Sequence, residues 1–376
     1  MKIIINTTPL LSPLTGVGKY TYQIAKALID LDRKNKYAFY QGYFSDTLFS
    51  PRTEQKFLSY VGYVKSFFTY SPMTKRIWHS FKNLGLKFRS DEFDLYFEPN
   101  FIPLPIRARK IIVTIHDFSF HLFPEWHPPD RIQYFQKNFW NNIMKADKII
   151  FVSNYIKNEA INLFNFPAEK LTTIYNGVNK EIYRIYEQEE LKPITQKYIL
   201  PPKFIFYLGS IEPRKNIKGL ILAYFELGPQ FRKEFKLVLG GFRGWKNEEI
   251  HSLIKKSNGD IKFLGYIREE ELGKIFNLAS MFVYPSFYEG FGLPPLEAMS
   301  CGCPVVVSNA SSLPEVCGEA AYYIDPNDIE SISKGILKLA TDDVLKKNLT
   351  LKGIKQAHKY SWQESAKSLI NIFNEI

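Results

Sequence analysis

Short β-branched and aromatic runs alternate along this chain with longer segments whose apolar residues recur at helical spacing. In the first half, residues 2–6, 110–115 and 148–152 read as buried strands. In the second half, residues 203–208, 236–239, 261–264, 281–284, 305–307 and 322–324 do so. Between them, 20–32, 131–145, 217–225, 269–279 and 294–300 carry helical periodicity. A strand that is apolar on both faces needs cover above and below, and helices in alternation with strands supply it. The pattern therefore predicts an α/β protein built on doubly wound parallel sheets. No internal repeat at solenoid spacing is visible.

At 376 residues the chain exceeds what one core usually supports, so two domains are expected. The most linker-like stretch is 183–202, polar, Glu-rich and punctuated by Pro193, Pro201 and Pro202, after the turn signal Asn176-Gly177. It divides the chain into domains 1–190 and 191–360. The amphipathic segment 361–376 that follows is expected to cross back onto the first domain. The 45% hydrophobic and 23% charged composition is that of an ordinary globular protein. No apolar run approaches the roughly 18 residues of a membrane-spanning helix, and the apolar run at the start is too short for a secretory signal. Cys301, Cys303 and Cys317 lack a second Cys/His pair at zinc spacing. They read as small buried thiols of a reducing compartment, hence of a cytoplasmic protein.

The net charge of +11 asks for an acidic partner: phosphate, nucleic acid or anionic lipid. Nucleic acid is disfavoured because no recognised module is present. Residues 52–89 concentrate basic side chains among aromatics, with Glu54 as a lone acid between Arg52 and Arg89. Such a segment suits anionic headgroups at the inner face of the plasma membrane, or forms a solvated face over a core edge.

Four constellations could carry chemistry. Arg214, Lys215 and Asn216 follow a strand ending at Gly209 and precede a helix. Ligands of doubly wound sheets sit beyond the carboxyl ends of strands, and two cations at a helix N-terminus suit a diphosphate. The run 285–299, PSFYEGFGLPPLEAM, also follows a strand. Gly290 and Gly292 permit close backbone approach, a proline starts a helix after Leu293, and Glu289 and Glu297 can grip sugar and ribose hydroxyls. Gly16-Val17-Gly18-Lys19 fails the P-loop spacing, since Tyr20 stands where Ser or Thr is needed. What survives is a glycine loop at a helix start. His116 ends a strand of the first domain, where it could contact a sugar hydroxyl. His121 and His127 are read as structural, and Asp30-Leu31-Asp32, at a helix end, is rejected as a metal motif.

On these residues the chain resembles glycosyltransferase family 4. The likeness is carried by 209–216 (GSIEPRKN), Gly240-Gly241, 263–267 (FLGYI), 284–299, 301–309 (CGCPVVVSN) and 312–318 (SLPEVCG). Gly16-Val17-Gly18, His116 and Asn176-Gly177-Val178 match more loosely, and 40–95 match least. The resemblance implies a GT-B fold, two Rossmann-like domains facing each other across a cleft, and a retaining transferase needing no metal or cofactor. It implies that Arg214 and Lys215 neutralise the donor diphosphate and that Glu297 binds ribose. Glu289 with the backbone of Gly290, Phe291 and Gly292 would hold the transferred sugar, and Tyr266-Ile267 would sit against the base. Gly16 would approach the diphosphate and His116 the sugar.

The subgroup looks similar to bacterial mannosyltransferases of surface-polysaccharide and lipopolysaccharide assembly. That favours GDP-mannose as donor and a glycan or lipid-linked acceptor hydroxyl. The rivals are a UDP-sugar-dependent transferase, a sugar-nucleotide epimerase, and an idle carbohydrate- or membrane-binding module with a broken donor site.

Overall fold

In a computed structural model, residues 1–11, 16–50, 93–242, 244 and 248–376 are described. The basic aromatic stretch 52–89 lies outside them. The chain divides into two compact units, one of residues 1–118, 129–177 and 362–376, the other of 119–128 and 178–361.

The first unit is built on seven described strands: β1 Lys2–Asn6, β2 Lys36–Tyr40, β3 Phe44–Ser45, β4 Phe93–Glu98, β5 Ala108–Ile115, β6 Lys148–Phe151 and β7 Leu171–Thr173. They lie in the order β3-β2-β1-β4-β5-β6-β7, all parallel except the short β2–β3 pairing. Ile3, Ile4 and Ile5 of β1, and Tyr96 and Phe97 of β4, are fully covered. The helix Gly16–Leu31 turns Tyr20, Ile24 and Leu28 inward. Against it packs the helix Trp362–Glu375, whose Trp362 ring lies 5.8 Å from Tyr20 and whose Phe373 ring lies 6.1 Å from Phe97. The last helix is thus a layer of the first unit.

The second unit holds β8 Phe204–Leu208, β9 Lys236–Gly240, β10 Ile261–Gly265, β11 Met281–Tyr284, β12 Val305–Ser308 and β13 Ala321–Ile324. Their order is β10-β9-β8-β11-β12-β13, and every pairing is parallel. This order reverses direction between β8 and β11, as the first sheet does between β1 and β4. Such reversals open a crevice at the strands' carboxyl ends where ligands bind.

Four strands of the first sheet, β2, β3, β4 and β7, were not among those expected, β3 being only two residues long. Asp94 and Glu98 interrupt the apolar run of β4, Lys36 opens β2, and β7 is only three residues long. The division between the units also falls at Gly177, ahead of the stretch read as a linker. That stretch contains the helix Gln188–Tyr198, with Pro193 inside it. It forms because Glu190 accepts from the backbone N–H of Glu187 at its start and Leu191 and Ile194 are buried.

Candidate active site

The loops after β8, β9 and β10 are stitched by backbone hydrogen bonds. Gly209 N–H donates to Gly240 (2.9 Å), Ile211 N–H to Phe242 (3.0 Å) and Gly241 N–H to Gly265 (2.8 Å). The contact demands glycine at two points. A Cβ on Gly241, whose φ is +136°, would lie 2.0 Å from the carbonyl oxygen of Gly209, and a Cβ on Gly244 would lie 2.0 Å from the carbonyl oxygen of Ile211. Out of this seam the chain enters the single turn Pro213–Lys215, which delivers both cations beside β11.

Glu289 bridges them. Arg214 Nη1 donates to Glu289 Oε2 (2.9 Å) and to the carbonyl of Tyr288 (2.9 Å), while its Nη2 meets Glu212 (3.0 Å). Lys215 Nζ donates to Glu289 Oε1 and to the Tyr284 hydroxyl, each at 2.6 Å. These side chains are 15%, 11% and 8% exposed for Arg214, Lys215 and Glu289, so little water screens them. Burial pushes the Glu289 carboxyl up, but Arg214 and then Lys215 outweigh it and hold the group down at about 2. Burial and the adjacent Arg214 charge lower the Lys215 ammonium, against the pull of Glu289 and Glu212. The Glu289 backbone is fixed as well: its N–H donates to Ser311 Oγ (2.9 Å) and its carbonyl accepts from Ser312 Oγ (2.8 Å).

Gly290, Phe291 and Gly292 follow, all buried. Gly292 takes φ +99° immediately before the helix Leu293–Ser300. On that helix Glu297 is 3% exposed. It lies beside Tyr183, whose phenol is raised by burial and then by the Glu297 charge. Tyr266 is 48% exposed and stacks on Phe242 at 4.7 Å, while Ile267 is buried. Asn216 has a capping task. At φ +53° its Oδ1 accepts from Gly219 N–H (3.2 Å) and its Nδ2 donates to the Pro326 carbonyl (2.7 Å).

The structure therefore gathers Arg214, Lys215 and Glu289 into one cluster, with Gly290, Phe291, Gly292 and Leu293 as its continuation. Gly16, Gly18 and His116 belong to the first unit. Gly16 and Gly18 form the first turn of the helix Gly16–Leu31. His116 follows β5, its Nε2 is 2.8 Å from the Pro99 carbonyl, and the Tyr20 ring meets it edge-on at 4.9 Å. Burial lowers its pKa, so the ring is neutral at pH 7. His127 pairs with Ser119 (3.0 Å), and Asp32 accepts from Lys34, Asn35 and Tyr37 as a turn cap. Among the described residues no group of three or more His, Cys, Asp or Glu could hold a metal ion, and all three cysteines are buried and outside any disulfide.

Sequence reasoning gave no role to Tyr284, Glu212, Ser311 or Ser312, which orient the cluster, nor to Glu98. It also missed the segment 119–128, which belongs to the second unit. There Phe123 and Trp126 stack on one another at 4.0 Å and reach Tyr288 (5.4 Å) and Phe287 (6.0 Å), beside Glu289. The Phe-x-x-Trp spacing, after the strand end at His116, was the available signal.

The geometry agrees with what the chain is similar to. The family model for Glycosyltransferase Family 4 matches residues 14–182, and that for glycosyl transferases group 1 matches residues 189–356. O-antigen chain mannosyltransferase B of Escherichia coli is 38% identical over 383 residues, covering 99% of each chain. A serotype-specific mannosyltransferase, WbdA of Escherichia coli, is 33% identical over 273 residues, 71% of this chain and 34% of its own length. In fold, the chain matches HepE of Anabaena, solved with UDP-glucose, at a TM-score of 0.72 and 16% identity over the full length of both. With both halves matched by family models and one relative aligned from end to end, this chain belongs to the family 4 glycosyltransferases and is a glycosyltransferase of the GT-B fold.

Proposed function

We propose that the protein transfers mannose, with retention of configuration, from GDP-mannose to a hydroxyl of a glycan or lipid-linked acceptor in surface-polysaccharide assembly. The observation that carries this reading is the Arg214–Lys215–Glu289 cluster at the point where the second sheet reverses. The names of the relatives supply the sugar: both Escherichia coli proteins are mannosyltransferases.

Cleavage of the sugar–phosphate bond develops negative charge on the leaving diphosphate. Two buried cations, fixed beside the leaving group and exchanging part of their bonding from Glu289 to the phosphates, stabilise that charge. Backbone N–H groups at the start of the helix Leu293–Ser300 add to the field. Glu289 and the backbone of Gly290, Phe291 and Gly292 take the transferred sugar, Glu297 the ribose hydroxyls, and Tyr266-Ile267 the base side. Gly16 and His116 carry over from the family as contacts to diphosphate and sugar. A neutral His116 offers a hydrogen bond without charge. The acceptor hydroxyl is proposed to lose its proton to the leaving phosphate on the same face, and no metal or cofactor takes part.

The test is nucleotide release with a panel of GDP- and UDP-sugars and purified cytoplasmic-face acceptors. GDP-mannose is expected to turn over fastest; preferential turnover of a UDP-sugar rejects the donor assignment. The basic aromatic segment 52–89 is proposed to bring the enzyme to anionic lipid, which no transmembrane helix among the described residues does. Co-sedimentation with anionic vesicles at low salt, lost at high salt, is the expected result.

A further inference from the structure

Glu98 is a fully buried carboxyl that the transfer reaction described above does not use. It ends β4 at the place where the first sheet reverses, next to Asn6 at the end of β1. Its Oε2 accepts from the Tyr96 hydroxyl (2.5 Å) and from Asn6 Nδ2 (2.8 Å), and its Oε1 accepts from Asn100 N–H (3.0 Å). The carbonyl on the other side of that same peptide group, that of Pro99, is the one 2.8 Å from His116 Nε2. One planar amide therefore joins a carboxyl to an imidazole, N–H toward Glu98 and C=O toward His116.

A carbonyl can only accept, so His116 carries its proton on Nε2 and leaves Nδ1 with a lone pair. Hydrogen bonds at the two ends of an amide polarise it in the same sense and reinforce one another. Phe101, at φ +59°, donates its N–H to the Thr114 carbonyl (3.0 Å) and sets its ring 5.4 Å from His116, so the loop is pinned just after the amide.

We propose that Glu98 is a positioning residue that acts on His116 through the Pro99–Asn100 peptide. It holds the imidazole as a neutral hydrogen-bond acceptor whose Nδ1 receives a sugar hydroxyl. The role of His116 rests on the reading of function above; the link from Glu98 to His116 does not.

The chain has six histidines, so selective ring-nitrogen labelling of the full-length protein is practicable, with His116→Ala assigning the signal. Wild-type spectra are expected to show the proton on Nε2. Glu98→Leu, which removes the acceptor for Asn100 N–H, is expected to give a mixture of tautomers. It should lower kcat about tenfold, the scale on which outer partners of a working imidazole act, with the donor KM near wild type. Glu98→Gln keeps an acceptor oxygen and is expected to restore both tautomer and turnover. A proton on Nδ1 in the wild type, or wild-type His116 signals in a folded Glu98→Leu protein, overturns the proposal.

Should Glu98→Leu fail to fold, a pH series on the wild type decides. Among the described residues, the titratable groups facing this chain of contacts are Tyr96 and Tyr134 at Glu98 and Asp117 and Tyr20 at His116. As Glu98 ionises near pH 8, the Asn100 amide and the His116 ring nitrogens are expected to move with one midpoint. A midpoint at Asn100 with none at His116 overturns the link. If the link holds while His116→Ala keeps full donor turnover, the functional reading of His116 fails instead.

Discussion

Glu289 holds the two cations that a diphosphate would need, so donor phosphates compete with it for the same N–H groups. Glu289→Gln removes that competition along with the charge. It is expected to tighten binding of GDP while lowering kcat by about two orders of magnitude, because one group that grips the reacting sugar is lost. Calorimetry and nucleotide release read the two effects separately. Lys215→Ala is expected to cost about two to three orders of magnitude in kcat/KM for the donor, with circular dichroism unchanged. Glu98 makes a prediction of opposite character. Burial raises its carboxyl to about 8, against hydrogen bonds from Tyr96, Asn6 and Asn100. The folded protein thus keeps a proton that the unfolded chain loses near the ordinary carboxyl range. Stability falls as pH rises between those two values, by up to about 1.4 kcal/mol per pH unit. Urea titrations between pH 5 and 8 are expected to show this slope in the wild type and a flatter one in Glu98→Gln.

At the level of elements, β8 to β13 were legible because each is a β-branched or aromatic run closed by glycine, proline or a polar turn. β4 was not. Its sequence FDLYFE carries two acids, and the partners that let Glu98 be buried, Tyr96, Asn100 and, from 92 residues away, Asn6, come together only in the fold. The helix Gln188–Tyr198 was read as a linker because Pro193 and the glutamates mimic one, and burial of Leu191 and Ile194 overrides that composition. The cluster of Arg214, Lys215 and Glu289 was legible because its members follow neighbouring strands. The hydroxyls of Tyr284, Ser311 and Ser312 that orient it were not, since only the fold brings them there. Asn216 shows how an element start shapes the site. Asn216→Ala loses the cap and places an alanine at φ +53°, a combined cost of roughly 2 kcal/mol. Asn216→Gly keeps the backbone and is expected to lose less, as chemical denaturation of the two variants should show.

Across the whole molecule, the helix Trp362–Glu375 ties the last described residues to the first sheet. Leu369 is 1% exposed there. Leu369→Ala is expected to cost about 2–5 kcal/mol, and hydrogen exchange should place the loss in β1, β4 and the helix Gly16–Leu31 while the second unit keeps its protection.

That same helix sets an order of events at the ribosome. The leading sheet emerges early, yet among the described residues Tyr20 and Phe97 lack their ring partners Trp362 and Phe373 until the last helix has been made. The second unit has all its strands by then and can close first. A growing chain therefore carries an open apolar side through most of its synthesis, and translation that stops short of residue 362 leaves that side open for chaperones or proteases to find.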